Sequence, residues 1–338
     1  MRSKLKAVVI GAGGIGHAHA RAYVQREDVE LTAAADVSEA ARLAFADAYD
    51  IKVYEDYTEM LEREKPDLIS VATPESVHLE MAREIAGRGI PMLMEKPLAR
   101  SLGEAAQLVR EVERSGTLMA VNYILRRDRR FQDLKQRILA GELGDPVTVF
   151  ARRRGTFAGA EKYGPWTDLL ISTAIHDLDL MIWFNGDMPQ RVFAESITLK
   201  CAAIGTPDAF AATLKFPNGS LGMLDTSWVL PSTLPAPLDA SLHFIGTRGG
   251  AFIDGSNQGV SLVSETSYHL PDHTHWPFYD GEVGGCFARS VDHFVACVRN
   301  GAAPDVDGRE ALRSLAVVEA VGRSAATGLP VDPTQLLA

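Results

Sequence analysis

The turn Gly11-Ala12-Gly13-Gly14-Ile15-Gly16 follows a short apolar run, 7–10, and opens an alanine-rich segment, 17–24, so its context is strand, tight turn, helix. Three glycines at this spacing allow a sharp turn, a close approach of backbone to a pyrophosphate, and tight packing of helix on strand, with phosphate charge facing the helix N-terminus. A second apolar strand, 31–35, ends in Asp36, twenty residues beyond Gly16, where a carboxylate can accept hydrogen bonds from ribose hydroxyls. Together these residues predict a dinucleotide site. The alternative is a glycine-rich connection in another α/β protein, with Asp36 as a solvated turn residue. Val37 and Ser38 follow Asp36, with no arginine there to accommodate a 2′-phosphate, which favours NAD over NADP.

Other chemistry-bearing clusters are weaker. His269, His273 and His275 are the densest histidines, but Pro271 and Pro277 predict an irregular loop, and no Cys or carboxylate set completes a zinc pattern. No metal is expected; Trp276 and Tyr279 are read instead as a wall near a substrate mouth. Tyr163 and Trp166 are read as core aromatics with a possible wall role. Cys201, Cys286 and Cys297 are widely spaced and form no CxxC, which fits packing residues in a reducing compartment.

The elements that must position these residues alternate as strand and helix from residue 4 to about 124, with Ser38, Asp56, Ser76 and Ser101 as helix caps. Beyond Ile124 the rhythm changes. A helix is expected over 131–140, a strand over 147–153 and a helix over 169–184. Strands are then expected over 192–199, 209–216, 221–228, 241–245, 251–254 and 260–263, with Pro217-Asn218-Gly219-Ser220 as a hairpin turn. Two helices, 287–299 and 308–327, close the chain. This predicts an α/β doubly wound domain over 1–124, then an α+β domain with a mainly antiparallel sheet over 125–338, for substrate binding and oligomerisation.

A length of 338 residues suits two domains, and a net charge of −10 argues against a broad basic surface for nucleic acid or anionic lipid. Arg2, Lys4 and Lys6 before an apolar run superficially resemble a signal peptide, but glycines break the run, and no stretch approaches a membrane span. A cytoplasmic protein is expected.

With the glycine turn upstream, Glu95-Lys96-Pro97 at the end of the expected strand 91–94 and His176-Asp177-Leu178-Asp179 downstream, the chain resembles the Gfo/Idh/MocA family of nicotinamide-dependent oxidoreductases over essentially its whole length. The resemblance implies a Rossmann domain and hydride transfer between NAD and a hydroxyl-bearing carbon of a sugar, polyol or similar molecule. It implies cofactor contacts from Gly11, Gly13, Gly14, Ile15, Gly16, Asp36, Thr73, Pro74, Glu95 and Lys96, with His78 at a family position that supports the loop. Lys96 and His176 are the implied catalytic residues: an ammonium to polarise the carbonyl, and an imidazole to exchange a proton near neutral pH. Lys96, His176, Asp179 and Arg126 are the implied substrate contacts. The resemblance also suggests a cis Lys96-Pro97 bond.

Two departures stand out. Family members commonly place an aspartate four residues before the motif histidine, whereas this chain has Ser172, which hydrogen-bonds but supplies no carboxylate charge. Neither Asp168 nor Asp177 is placed to replace it. Where relatives carry an Asn-Arg-Arg-Phe-like run, this chain has Ile124-Leu125-Arg126-Arg127. Arg126, Arg127, Arg129 and Arg130 are read as a solvated face or, alternatively, an anion contact. A noncatalytic NAD-linked sensor and an NAD-using glycosidase are the competing functions. The open face of the antiparallel sheet suggests a homodimer or homotetramer.

Overall fold

The computed structural model describes residues 3–337, so Arg2 lies outside the described residues. The chain divides into two compact units, Met1–Arg127 with Thr274–Leu312, and Asp128–His273 with Arg313–Ala338.

The first unit begins β1 (Leu5–Ile10), α1 (Gly14–Val24), β2 (Val29–Ala35), α2 (Glu39–Tyr49), β3 (Lys52–Tyr54), α3 (Tyr57–Glu64), β4 (Leu68–Val71), α4 (His78–Gly87), β5 (Met92–Met94), α5 (Leu102–Ser115), β6 (Met119–Val121). Its six strands are parallel, in the order β3-β2-β1-β4-β5-β6. The order reverses between β1 and β4, and at such a switch point the carboxyl ends of the strands leave a crevice for ligands. Strands β4, β5 and β6 are buried at every residue. Burial on both faces is why the sequence shows short continuous apolar runs there instead of alternation.

Local capping follows the sequence closely. Ser38, Asp56 and Ser101 accept from Ala41 N at 3.4 Å, Thr58 N at 2.8 Å and Glu104 N at 3.2 Å. Ser76 is the exception. The chain already turns at Pro74, so Ser76 falls inside a 3-10 turn, Glu75–Val77, and α4 starts behind Val77, which has no polar side chain to offer.

The second unit holds α6 (Arg129–Leu139), β7 (Pro146–Thr156), α7 (Phe157–Tyr163), α8 (Ile175–Asn185), β8 (Arg191–Ile197), β9 (Ala209–Lys215), β10 (Leu221–Leu230), β11 (Asp239–Gly246) and β12 (Gly250–Asp254). Its six-stranded sheet has the order β12-β11-β7-β10-β9-β8, with β7 and β10 parallel and every other pair antiparallel. The β9–β10 turn closes as predicted, with Gly219 N donating to Phe216 O at 3.0 Å and Gly219 at φ +89°. The expected strand 260–263 is shorter and lies outside this sheet: Leu262–Val263 pairs with Tyr268–His269, and all these residues are exposed.

Alternation sorts the sheet into two faces. Phe210, Ala212 and Leu214 of β9 point into the core. On the other face one row crosses all six strands in register: Phe193, Thr213, Met223, Phe150, His243 and Phe252. Phe193 and Phe252 of this row are exposed.

The helix expected over 169–184 has two parts. Leu170–Ala174 winds as a π turn and continues into α8. Asp168 accepts from Ile171 N at 2.9 Å at the start of the turn, and Thr173 Oγ1 accepts from Trp228 Nε1 at 2.8 Å. Such single wide turns recur at functional sites.

The chain ends with α9 (Gly285–Asn300), α10 (Gly308–Thr327) and a short turn, Pro333–Leu337. Within the first unit α9 packs on α1 and buries Phe287, Val291, Phe294 and Val295. Among the described residues no helix is long and apolar enough to cross a membrane.

Candidate active site

The glycine turn leaves the carboxyl end of β1. Gly11 adopts φ +99°, and a Cβ there would stand 2.5 Å from Ala72 O on the neighbouring strand's exit. A Cβ on Gly16 would stand 1.9 Å from Gly11 O, so the first turn of α1 can pass over the loop only without a side chain. Gly13 and Gly14 differ: a Cβ on either would meet nothing within 4 Å. Gly13 is the N-cap of α1 and offers no side-chain cap, and the first turn carries no acidic residue. The result is open space over Gly13 and Gly14 at a positive helix end, suited to a phosphate.

Asp36 sits beside this space. Its Oδ2 accepts from Ala12 N at 2.7 Å and its Oδ1 from Ser38 N at 2.8 Å, leaving lone pairs on both oxygens. Arg42, not considered from the sequence, donates to Asp36 O at 2.8 Å and Val37 O at 3.0 Å, so its guanidinium is engaged with the backbone beneath. Ile15 is exposed at the rim.

Thr73 and Pro74 leave β4 on the same sheet edge, Thr73 half-buried and Pro74 exposed. His78 ties this loop to the next: its Nε2 lies 3.0 Å from Thr73 O and its Nδ1 3.1 Å from Pro97 O. Burial pushes the His78 imidazole below its ordinary range, against the backbone carbonyls at its ring nitrogens, which favour the protonated ring. The Lys96-Pro97 bond is cis. Lys96 is half-buried at the end of β5, and its backbone N–H donates to Glu95 Oε2 at 3.3 Å.

Glu95 is the best-anchored carboxylate of this edge. Its Oε1 lies 3.0 Å from His19 Nε2 and accepts from Asn122 Nδ2 at 2.6 Å. Burial alone would raise its pKa, but the hydrogen bonds from His19 and the Asn122 amide and the nearby Lys96 charge outweigh it and hold the carboxyl below its usual range.

In the second unit, His176 is half-buried on α8, just ahead of two fixed acids. Asp177 forms a buried bidentate pair with Arg153 of β7, Nε to Oδ2 at 2.7 Å and Nη2 to Oδ1 at 3.1 Å. Asp179 is buried and accepts from Ser314 Oγ at 2.9 Å. Sequence reasoning missed the Arg153–Asp177 pair. Two signals marked it: Asp177 lies in a mainly apolar helix, and Arg153 shares the inward parity of Val149 and Ala151. Ser172 lies half-buried in the π turn, and Asp168 is occupied as its cap.

The arginine run does not form one solvated face. Arg126 is buried and pairs with Glu310 at 3.1 Å, Arg127 pairs with Asp305 at 2.6 Å, and Arg130 with Asp128 at 2.6 Å; Arg129 is exposed. Tyr163 and Trp166, read first as core aromatics, are exposed, as are Trp276 and Tyr279. Among the described residues no three His, Cys, Asp or Glu side chains are grouped to hold a metal ion.

A doubly wound parallel sheet whose glycine turn opens the first helix defines a dinucleotide-binding class of fold. The chain belongs to the Gfo/Idh/MocA oxidoreductase family: the family's NAD-binding Rossmann fold matches residues 5–123 and its C-terminal alpha/beta domain residues 135–332. It is 28% identical to the scyllo-inositol 2-dehydrogenase (NAD(+)) of Bacillus subtilis, over 98% of this chain and 97% of that protein. It is 25% identical to D-xylose 1-dehydrogenase (NADP(+)) 2 of Haloferax volcanii, over 96% of this chain and 98% of that protein. In fold it matches the solved scyllo-inositol dehydrogenase of Lactobacillus casei with bound NAD(H) and scyllo-inositol, with a TM-score of 0.85 at 17% identity, over 98% of this chain and 100% of that one. The first unit fits the dinucleotide the family implies, because the space over Gly13 and Gly14 is open and the first turn of α1 carries neither a side-chain cap nor an acidic residue.

Proposed function

We propose that this protein is an NAD-dependent dehydrogenase or reductase acting on a sugar, an inositol-like polyol or a related small molecule. The observation that carries the reading is the shared sheet edge of the first unit, where the open glycine cradle, Asp36 and the Glu95-Lys96-Pro97 turn all leave parallel strands at their carboxyl ends. When bound, the nicotinamide supplies hydride exchange with the substrate carbon. The chain's own residues bind, orient and move the proton. The α1 amides and Gly13-Gly14 receive the pyrophosphate, Asp36 accepts from ribose hydroxyls, and Thr73, Pro74 and Ile15 border the cofactor. Lys96 stabilises negative charge on the substrate oxygen, and His176 takes or returns its proton. Asp179 and Arg126 are assigned to substrate recognition, Arg126 following Tyr123, whose carbonyl accepts from its backbone N–H.

Asp36 supports NAD over NADP, since its carboxylate repels a 2′-phosphate while Arg42 is engaged with backbone carbonyls. Three free, buried cysteines support a reducing compartment, which we take as the cytoplasm. The aromatic row on the open sheet face supports self-association into a dimer or tetramer.

The test is a screen of sugars and inositols with NAD and NADP, following absorbance of the reduced nicotinamide. Turnover with polyols and NAD is expected. Tight NAD binding without turnover of any of them would favour the second reading, an NAD-linked sensor, which Ser172 in the aspartate position motivates.

A further inference from the structure

Behind the Lys96 edge a continuous polar chain runs through the core of the first unit. Tyr23 OH lies 2.7 Å from Ser70 Oγ, Ser70 Oγ 3.0 Å from His19 Nδ1, and His19 Nε2 3.0 Å from Glu95 Oε1. From the opposite side Ser290 Oγ donates to Asn122 Oδ1 at 2.6 Å, and Asn122 Nδ2 donates to the same Glu95 oxygen at 2.6 Å. Tyr23, Ser70, His19, Asn122 and Ser290 are all buried, and Glu95 keeps only 14% of its side chain exposed. Phe287 of α9 meets the His19 ring edge-on at 4.9 Å and fixes its plane.

One proton assignment satisfies every group. Tyr23 donates to Ser70, Ser70 donates to His19 Nδ1, and His19 Nε2–H donates to Glu95; Ser290 donates to Asn122, which donates to Glu95. Both arms therefore terminate on a single carboxylate, and donors aligned in series polarise one another. A packing role alone asks for no such convergence, since apolar residues of the same size would fill the space without the cost of burying five polar groups.

We propose that Tyr23, Ser70 and His19 form a positioning relay that holds Glu95 as a fixed anion beside Lys96, so that the neighbouring ammonium stays charged while it works on the substrate oxygen. The proposal rests on the oxidoreductase reading for its purpose and for the kcat arm of its test, but not for the coupling arm. The charged and titratable groups facing Glu95 are His19 from α1, Lys96 next to it in sequence, and His78 from α4, with Asn122 as its neutral donor after β6. Of these, His19 is the one whose hydrogen bond the relay supplies and orients. Removing that donor takes away the largest influence keeping the carboxyl ionised, and burial then drives its pKa upward. Glu95 should protonate at a higher pH, and the acid limb of the rate profile should rise with it.

The experiment uses the full chain in four forms: wild type, His19→Leu, His19→Gln, which keeps a donor reaching Glu95, and Tyr23→Phe, which removes only the distal hydroxyl and spares the fold if His19→Leu does not. The extent of carbodiimide coupling to Glu95, which requires the protonated carboxyl, is read by peptide mass spectrometry against pH, alongside pH profiles of kcat and KM. In His19→Leu both the coupling midpoint and the acid limb of kcat should move up by about one pH unit, the scale of a lost hydrogen bond to a carboxylate. His19→Gln should restore most of the shift, and Tyr23→Phe should show a smaller shift in the same direction. Coupling midpoints unchanged in both His19→Leu and Tyr23→Phe overturn the relay, as does a kcat limb that stays put while the coupling moves. A coupling shift in a protein whose wild type turns over no nicotinamide substrate upholds the anchoring of Glu95 and overturns the oxidoreductase reading instead.

Discussion

Exchanging Asp177 for asparagine leaves the Arg153 guanidinium, with 7% of its side chain exposed, facing an amide that cannot balance its charge. The native pair is bidentate, at 2.7 and 3.1 Å, and Asp177 is itself 1% exposed, so water cannot replace the lost carboxylate. Breaking one side of such a pair costs about 3–5 kcal/mol, because the penalty is an uncompensated buried charge and not merely a lost attraction. For a unit of this size that loss corresponds to a drop in Tm of about 6–20 °C. Replacing both partners together, Arg153→Met with Asp177→Leu, should recover most of the stability, since an apolar pair of similar volume removes the charge as well as its partner. Urea unfolding of wild type, Asp177→Asn, the singles Arg153→Met and Asp177→Leu, and their double variant, followed by circular dichroism, closes the cycle. A single-variant loss below about 1 kcal/mol, the range of exposed ion pairs, or a double variant no more stable than either single, would refute the account.

The glycine turn separates packing from binding: Gly16→Ala should disrupt the loop itself, whereas Gly14→Ala should leave thermal stability near wild type and weaken NAD in titration calorimetry by about tenfold or more, in keeping with a side chain intruding on a backbone–phosphate approach. Asp36→Ala should narrow the preference for NAD over NADP by about tenfold, about the free energy of one charge-assisted hydrogen bond; an unchanged ratio in fluorescence titration counts against the ribose contact. Lys96→Ala should keep NAD binding while lowering kcat by about a hundredfold or more, and full turnover in a folded Lys96→Ala or His176→Ala protein removes that residue from the mechanism.

What the sequence revealed depended on how local its cause was. The glycine turn, the caps at Ser38, Asp56 and Ser101, and the Pro217–Ser220 hairpin were readable because each is decided within a few residues. Ser76 misled because Pro74 turns the chain before a cap is needed. The π turn at Leu170–Ala174 was not readable, since its Thr173 is held by Trp228, 55 residues away in sequence. The site divides the same way. Gly11, Gly16 and Asp36 carried their own signal, while Glu95 was visible only as a motif letter. Its anchor His19 looked like one more residue of an alanine-rich helix, because the partners that give it meaning come from β4, β5 and α9. Arg126 looked solvated for the same reason: Glu310 lies 184 positions downstream.

The return of residues 274–312 to the first unit has a consequence for the order in which the protein can mature on the ribosome. When the sixth parallel strand has been made, the α1 surface that will receive Phe287, Val291 and Phe294 is still bare, and Asn122 still lacks Ser290. The nucleotide-binding half must therefore wait, incompletely closed, through synthesis of the whole second sheet before α9 arrives to seal it. A nascent chain halted after residue 273 should be protease-sensitive in its first unit, and one extended through residue 312 should not.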